Sequence, residues 1–239
     1  MNEVMMTIHR AQDHYSDQNS WLTTRWHFSF GHYVDEANMN WGPLRVFNDD
    51  EIAPHSGFPL HAHADMEIVT YILEGELSHE DDLGNIGTLT YPEVQRMSAG
   101  TGIRHAEFNP TNAPLKLFQM WVLPSQLGLP PSWEQKGFPD EGMKKNQWAL
   151  ICSPDGRKGS LTIHQDAYLY ATRLGKGNTL SYSFRSPSRL AYIVIAEGKI
   201  DVEKQTLFPR DAARVKGVNE LVFTATTDAH FLLWDLPGN

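Results

Sequence analysis

The sequence predicts an all-β protein built as a duplicated barrel, and three observations carry that expectation. Short runs rich in Val, Ile, Thr and aromatic residues recur along the 239 residues, each closed by Gly, Pro, Asn or Asp. The two halves resemble each other. Tyr71-Ile72-Leu73-Glu74-Gly75-Glu76-Leu77 matches Val194-Ile195-Ala196-Glu197-Gly198-Lys199-Ile200, and residues 89–94, with Pro92, match residues 207–212, with Pro209. A stretch dense in Pro and Gly, residues 124–146, separates them. The expected division is a first domain over residues 1–130, a linker over 131–146 and a second domain over 147–239.

Taken in order, Trp26, Phe28 and Phe30 alternate with polar residues, the period-2 pattern of a half-buried strand. Residues 44–48 form another short strand, expected to stop at the acidic turn Asn48-Asp49-Asp50-Glu51. Residues 66–73 are a run of β-branched and apolar side chains that reads as a central strand, turned by Glu74-Gly75. Residues 76–79 return, 80–85 make a hairpin loop by their Asp, Gly and Asn content, and 88–90 lead to the turn Tyr91-Pro92-Glu93. Glu80, Asp81 and Asp82 lack the twelve-residue spacing of a calcium loop and are expected as a solvated tip. Strands over 94–98, 103–108 and 115–123 complete the first half. The connector that follows, with Pro124, Pro130, Pro131, Pro139, Gly128, Gly137 and Gly142, is expected to hold one short helical turn. Beyond Trp148, strands are expected over 161–163, 168–174, 179–184, 190–196, 221–224 and 231–234.

Two triplets carry the chemistry: His61-Ala62-His63 and His105-Ala106-Glu107. Residues i and i+2 of a strand point to the same face, so each triplet presents two donor groups side by side. Two such strands facing across a narrow barrel would gather three imidazoles and one carboxylate around one ion. The segment between His63 and His105 is long enough for about four short strands at the usual 8–12-residue repeat, so the chain can go out and come back. Among 11 histidines a single His-x-His arises readily by chance; the second triplet makes the pairing informative. Neutral imidazole with carboxylate and no thiolate suits iron, nickel, copper, manganese or zinc, and four protein ligands leave positions open on an octahedral ion. His27 and His32 have no donor at i+2 and read as structural or surface residues. The second half has no such triplet. Counting from the shared Gly puts Phe184 and Ser186 where His61 and His63 stand, and counting from the shared Pro puts Val222 and Thr224 where His105 and Glu107 stand, to within a residue or two.

Composition narrows the function classes. A content of 41% hydrophobic and 11% aromatic residues supports a substantial core, and the formal charge of −9 with pI near 5.6 argues against broad phosphate-backbone binding, so no direct nucleic-acid partner is expected. Met1-Asn2-Glu3-Val4-Met5-Met6 lacks a basic start followed by an apolar run, and no 18-residue apolar stretch occurs, so a cytoplasmic protein without a membrane span is expected. Cys152, the single cysteine, excludes an intramolecular disulfide and is expected as a small core residue.

His61-Ala62-His63, followed by Glu67 and then by Leu73-Glu74-Gly75, together with Met97-Ser98-Ala99-Gly100-Thr101-Gly102-Ile103-Arg104-His105-Ala106-Glu107, resembles the pirin family of bicupins. Phe28-Ser29-Phe30-Gly31-His32-Tyr33 and His164-Gln165-Asp166-Ala167 resemble further landmarks of that family. The chain departs from the general cupin pattern in the short space from Gly57 to His61, and in having Glu67, not Glu107, where many cupins place their acidic ligand. The resemblance implies two antiparallel cupin (jelly-roll) β-barrels packed face to face with few short helices. It implies one metal in the first barrel, usually Fe(II), with Zn, Ni, Cu, Mn or Co as substitutes, held by His61, His63, His105 and Glu107. Bacterial members are similar to quercetin 2,3-dioxygenases, which open the flavonol ring with dioxygen and release carbon monoxide. In that reading Glu107 is also catalytic, taking the proton of the flavonol 3-hydroxyl; Glu67 is either a support for a ligand histidine or an exposed or ion-paired residue; and Phe58, Met66 and Phe118 are candidate walls. Other relatives act as iron-dependent transcriptional cofactors, which implies the alternative of a redox-sensing module that binds a protein partner.

Overall fold

The computed structural model describes residues 5–138 and 145–238. Residues 1–4, read above for a signal sequence, and Pro139 and Gly142 of the connector lie outside them. Among the described residues there is no α-helix, only three single-turn 3₁₀ segments between strands.

In the first half the strands are β1 (Met5–His9), β2 (Tyr15–Gln18), β3 (Leu22–Trp26), β4 (Leu44–Ile52), β5 (Ser56–His63) and β6 (Glu67–Glu74). They continue with β7 (Glu76–Asp81), β8 (Ile86–Thr90), β9 (Glu93–Ser98), β10 (Ile103–Asn109), β11 (Leu115–Val122) and β12 (Ser132–Gly137). The second half has β13 (Ala149–Ser153), β14 (Leu161–Thr162), β15 (Tyr168–Leu174), β16 (Thr179–Ser183) and β17 (Leu190–Glu197). It ends with β18 (Ile200–Val202), β19 (Gln205–Leu207), β20 (Ala212–Lys216), β21 (Glu220–Ala225) and β22 (Ala229–Leu236).

These strands form two compact units, one over residues 15–138 and 161–165, the other over 5–14, 145–160 and 166–238. The first unit has a larger sheet in the order β12-β9-β6-β11-β4-β3-β2 and a smaller one in the order β5-β10-β7-β8. The second repeats that plan with β1-β20-β17-β22-β15-β13 and β16-β21-β18-β19. All these pairings are antiparallel. The duplication read from the sequence is thus a duplication of strand order. Its shared glycine has a physical reason. Gly75 and Gly198 sit at φ 87° and 75°, and a Cβ at either would fall 2.8 Å from Pro114 O or 2.0 Å from Asp228 O, so only glycine makes the turn.

Several local expectations differ from the structure in an instructive way. The strand here is β3, which ends at Trp26, the first residue of the Trp26–Phe30 alternation, and Phe30 makes only an isolated bridge to Tyr33. His27, a polar position in that alternation, is buried and stacks on Phe47 at 4.7 Å. The acidic run Asn48-Asp49-Asp50 does not end its strand but runs inside β4, buried. Thr24 donates its hydroxyl to Asp50 and Arg25 pairs with Asp49, so tertiary partners offset the desolvation that local sequence would predict to be prohibitive. Asp81, expected in solvent, is buried and accepts from Leu83 N, Asn85 N and Asn85 Nδ2 at 3.0, 3.0 and 3.1 Å, which builds the hairpin loop around it. Burial alone would raise its carboxyl, but these bonds and His79 outweigh it and hold the carboxyl below the ordinary range. Within the expected linker, residues 132–137 form β12, an edge strand paired with β9. Cys152 is fully buried, as a core residue.

The second unit carries an acid-sensitive element. His230 on β22 is 1% exposed, and burial, with Arg173 and Arg210 nearby, pushes its pKa down to about 3; His14 is pushed to about 4, mainly by burial. Below the ordinary histidine pKa of 6.5 the unfolded chain takes up a proton that the folded chain refuses, so stability is lost as pH falls from about 6.5 toward 3. The expected outcome is that His230→Gln flattens the fall of unfolding free energy with pH by up to about 1.4 kcal/mol per unit in that window. Equal slopes for variant and parent in denaturant titrations from pH 7 to pH 4 would refute it.

Candidate metal centre

β10 lies between β5 and β7, and its pairing with β5 sets His105 opposite His61 and Ile103 opposite His63. The two triplets are therefore on hydrogen-bonded neighbours of one sheet, not on strands facing across a barrel. Adjacent strands serve as well, because paired positions on one face lie about 4.5–5.5 Å apart. The ring centroids of His61, His63 and His105 are 4.7, 4.5 and 5.1 Å apart pairwise, and one nitrogen from each lies within 4.8 Å of the others.

The protonation of these rings follows from their surroundings. His61 Nδ1 lies 2.8 Å from Pro59 O, which only accepts, so Nδ1 carries the proton and Nε2 keeps its lone pair. Burial first, then the neighbouring imidazoles, push His63 to about 4 and His105 to about 3, so both are neutral at pH 7, the form that donates to a metal. His105 is 1% exposed and neither of its ring nitrogens has a hydrogen-bond partner. A buried polar atom left in that state costs about 1–3 kcal/mol, a cost that an ion on the lone pair removes. The donor set, nitrogen-rich with a carboxylate and no thiolate, fits a divalent transition metal.

Glu107 follows a β-bulge that shifts the β5–β10 register and puts it opposite Phe58. Its carboxylate is buried and accepts from Gln95 Nε2 at 2.6 Å, Gln119 Nε2 at 2.8 Å and Thr70 Oγ1 at 3.4 Å. Trp133 Nε1 donates to Gln95 Oε1 at 2.9 Å and Trp121 Nε1 to Gln119 Oε1 at 3.2 Å. An indole N–H only donates, so each glutamine must turn its oxygen to the tryptophan and its NH₂ to Glu107. Gly57 lies inside β5, where a Cβ would stand 2.1 Å from Glu107 O; its role is close approach to the bulge.

One residue of the centre escapes the sequence reading. His79 on β7 is fully buried opposite Glu107, stacks on Trp133 at 5.0 Å and lies with His105 and Glu107 in a second group of donor atoms within 4.8 Å. The four expected donors are thus divided between two overlapping groups that share His105. The signal for His79 was present: His79-Glu80-Asp81 is a third triplet with donors at i and i+2, hidden because the acidic cluster reads as a loop tip.

The remaining expectations sort by contact. Glu67 supports none of these histidines and is not exposed; it is buried, with Oε2 accepting from Ser98 Oγ at 2.8 Å and His164 N at 3.2 Å, and Oε1 lying 3.3 Å from His164 Nδ1. Phe58 is 6.3 Å from the His61 ring, whereas Phe118 is core against Phe47 and Met66 packs on Ile68, Met97, Ala99 and Ile103. Trp121, edge-on to His63 at 4.8 Å, is an aromatic neighbour of the histidines that was not among the expected walls. Burial raises Asp50 to about 7, with Thr24 opposing and Asp49 and Glu107 adding to the rise.

In the second unit the strand pairing identifies the equivalent positions. Tyr182 faces Leu221 as His61 faces His105, and two residues on in β10 and β21 Glu107 corresponds to Phe223. Phe184 takes the place of His63, two residues after Tyr182. This register is one to two residues from the count made on the shared Gly and Pro. All four positions belong to one buried apolar cluster, so the second barrel closes with three rings and a leucine where the first gathers donors.

Among the described residues no helix is long and apolar enough to cross a membrane. The family model described as Pirin matches residues 8–122, and that described as Quercetinase C-terminal cupin domain matches residues 150–236. The chain is 42% identical to a pirin-like protein of Caulobacter vibrioides over 91% of this chain and 93% of that one. It is 37% identical to quercetin 2,3-dioxygenase of Escherichia coli over 98% and 99% of the two chains. The crystal structure of the Escherichia coli pirin YhhW in complex with nickel(II) aligns with TM-score 0.93 at 36% identity, covering 98% of this chain and all of that one.

Proposed function

The chain belongs to the pirin family of two-barrel cupins, and we propose that it is a metal-dependent dioxygenase that opens the ring of a flavonol such as quercetin with dioxygen and releases carbon monoxide. The observation that carries this reading is the cluster of His61, His63 and His105, with the buried, unpartnered nitrogens of His105 at its back. These imidazoles, with Glu107, would hold one divalent ion. When bound there, the ion supplies Lewis acidity toward a substrate hydroxyl and a template for dioxygen.

The chain's own residues have separable roles. Glu107 accepts the proton of the flavonol 3-hydroxyl; its two glutamine partners keep the carboxylate oriented through that transfer. Trp121 and Phe58, beside His63 and His61, offer flat apolar surface to an aromatic ligand. Burial of Glu107 and His105 holds these two groups away from bulk water. Iron is the first metal to test, because the nitrogen and carboxylate set with open positions suits non-haem Fe(II).

The test is aerobic incubation of protein loaded in turn with iron, nickel, cobalt, manganese and copper with quercetin, following loss of flavonol absorbance together with carbon monoxide. Turnover with release of the gas is expected. Absence of turnover with all five metals would overturn the dioxygenase reading in favour of a redox-sensing protein-binding module.

A further inference from the structure

We propose that the first barrel contains a second, inner seat for a divalent transition-metal ion, made by His79 Nδ1, a ring nitrogen of His105 and the Glu107 carboxylate. One ring nitrogen of His79, one of His105 and a Glu107 carboxylate oxygen lie within 4.8 Å of one another, and all three residues are buried, whereas His61 and His63 are only partly so. His79 Nε2 lies 3.2 Å from Asp81 Oδ2, and a carboxylate accepts, so Nε2 carries the proton and Nδ1 keeps the lone pair. That Nδ1 is buried and has no hydrogen-bond partner. His79 has the arrangement by which ligand histidines are held, one nitrogen on a carboxylate and the other offered. The stacked Trp133 ring, tilted only 13° from His79, fixes the direction of that lone pair.

The other two donors suit the same ion. Both nitrogens of His105 are unpartnered, and its ring lies 4.5 Å from His61 on one side and 5.4 Å from His79 on the other. Glu107, paired opposite His79 across β10 and β7, has about four lone-pair positions, of which Gln95, Gln119 and the longer Thr70 bond take three. Because a neutral imidazole offers one lone pair and both seats draw on the Glu107 carboxylate, the two seats compete for His105 and Glu107, and the unaltered protein holds one equivalent. The inner seat stands whether or not a flavonol is the substrate, and its test requires no turnover.

The test is titration of the His61→Ala/His63→Ala protein with cobalt(II), following ligand-field absorption and bound metal after dialysis. One equivalent is expected to remain. Adding His79→Gln should weaken that binding at least about 100-fold, and adding Asp81→Asn instead should weaken it about 10- to 100-fold. No cobalt retained by the double variant, or unchanged affinity on adding His79→Gln, would overturn the proposal. Should the triple variant fail to fold, zinc added to the ¹⁵N-labelled double variant decides it: the His79 Nδ1 resonance shifts if the seat exists, and its staying in place would refute it.

Discussion

Replacing His105 with leucine is expected to abolish stoichiometric metal binding while leaving the metal-free protein at least as stable as its parent. The expectation is unusual for a residue only 1% exposed, since buried substitutions generally destabilise. Here the parent residue has two buried ring nitrogens with no partner, each a cost of about 1–3 kcal/mol in the metal-free fold. Leucine removes both and keeps most of the volume. The loss appears only with metal present: a ligand at 100 times its dissociation constant adds about 2.7 kcal/mol to the parent and nothing to the variant. His105 belongs to both donor groups, so no second position rescues binding. Melting curves with chelator and with nickel, paired with elemental analysis, decide the matter. A leucine variant that still carries one equivalent of metal, or that melts well below the parent in chelator, would show that His105 is held for packing.

Glu107→Gln is expected to lower kcat on a flavonol by about 10²- to 10⁴-fold, the usual range for loss of a placed base, and also to destabilise the fold by about 1–3 kcal/mol. The second effect follows from the hydrogen-bond order around it. Trp133 and Trp121 orient Gln95 and Gln119 so that both present NH₂ groups to residue 107. A carboxylate satisfies two donors; a carboxamide offers one oxygen and confronts the other donor with its own NH₂. Glutamine, ordinarily the mildest replacement for glutamate, is therefore a poor one at this site. Denaturant unfolding of metal-free Glu107→Gln reads the second effect separately from activity; stability equal to the parent would mean the amide order is not as the tryptophans require.

The all-β class, the duplication and the two donor triplets were legible from the chain because each depends on short-range pattern: side chains at i and i+2 share a face, and glycine alone accepts the turns at 75 and 198. Strands such as 168–174 coincide with the observed element to the residue. The acidic run in β4, the buried Asp81 and the strand at 132–137 were misread for one reason. A charged or Pro-flanked segment reads as loop until a partner strand supplies the hydrogen bonds and counter-charges that make its burial tolerable.

What local pattern could not supply is which strands become neighbours. His61 and His105 meet because β10 inserts between β5 and β7, and the same insertion brings in His79, a residue whose own neighbours in the chain suggest solvent. Donor types and spacing along a strand are properties of a few consecutive residues, whereas the division of those donors into two groups around His105, and the glutamine cradle of Glu107, arise from contacts between strands far apart in the chain, where pairing and register are set by the burial of the whole barrel.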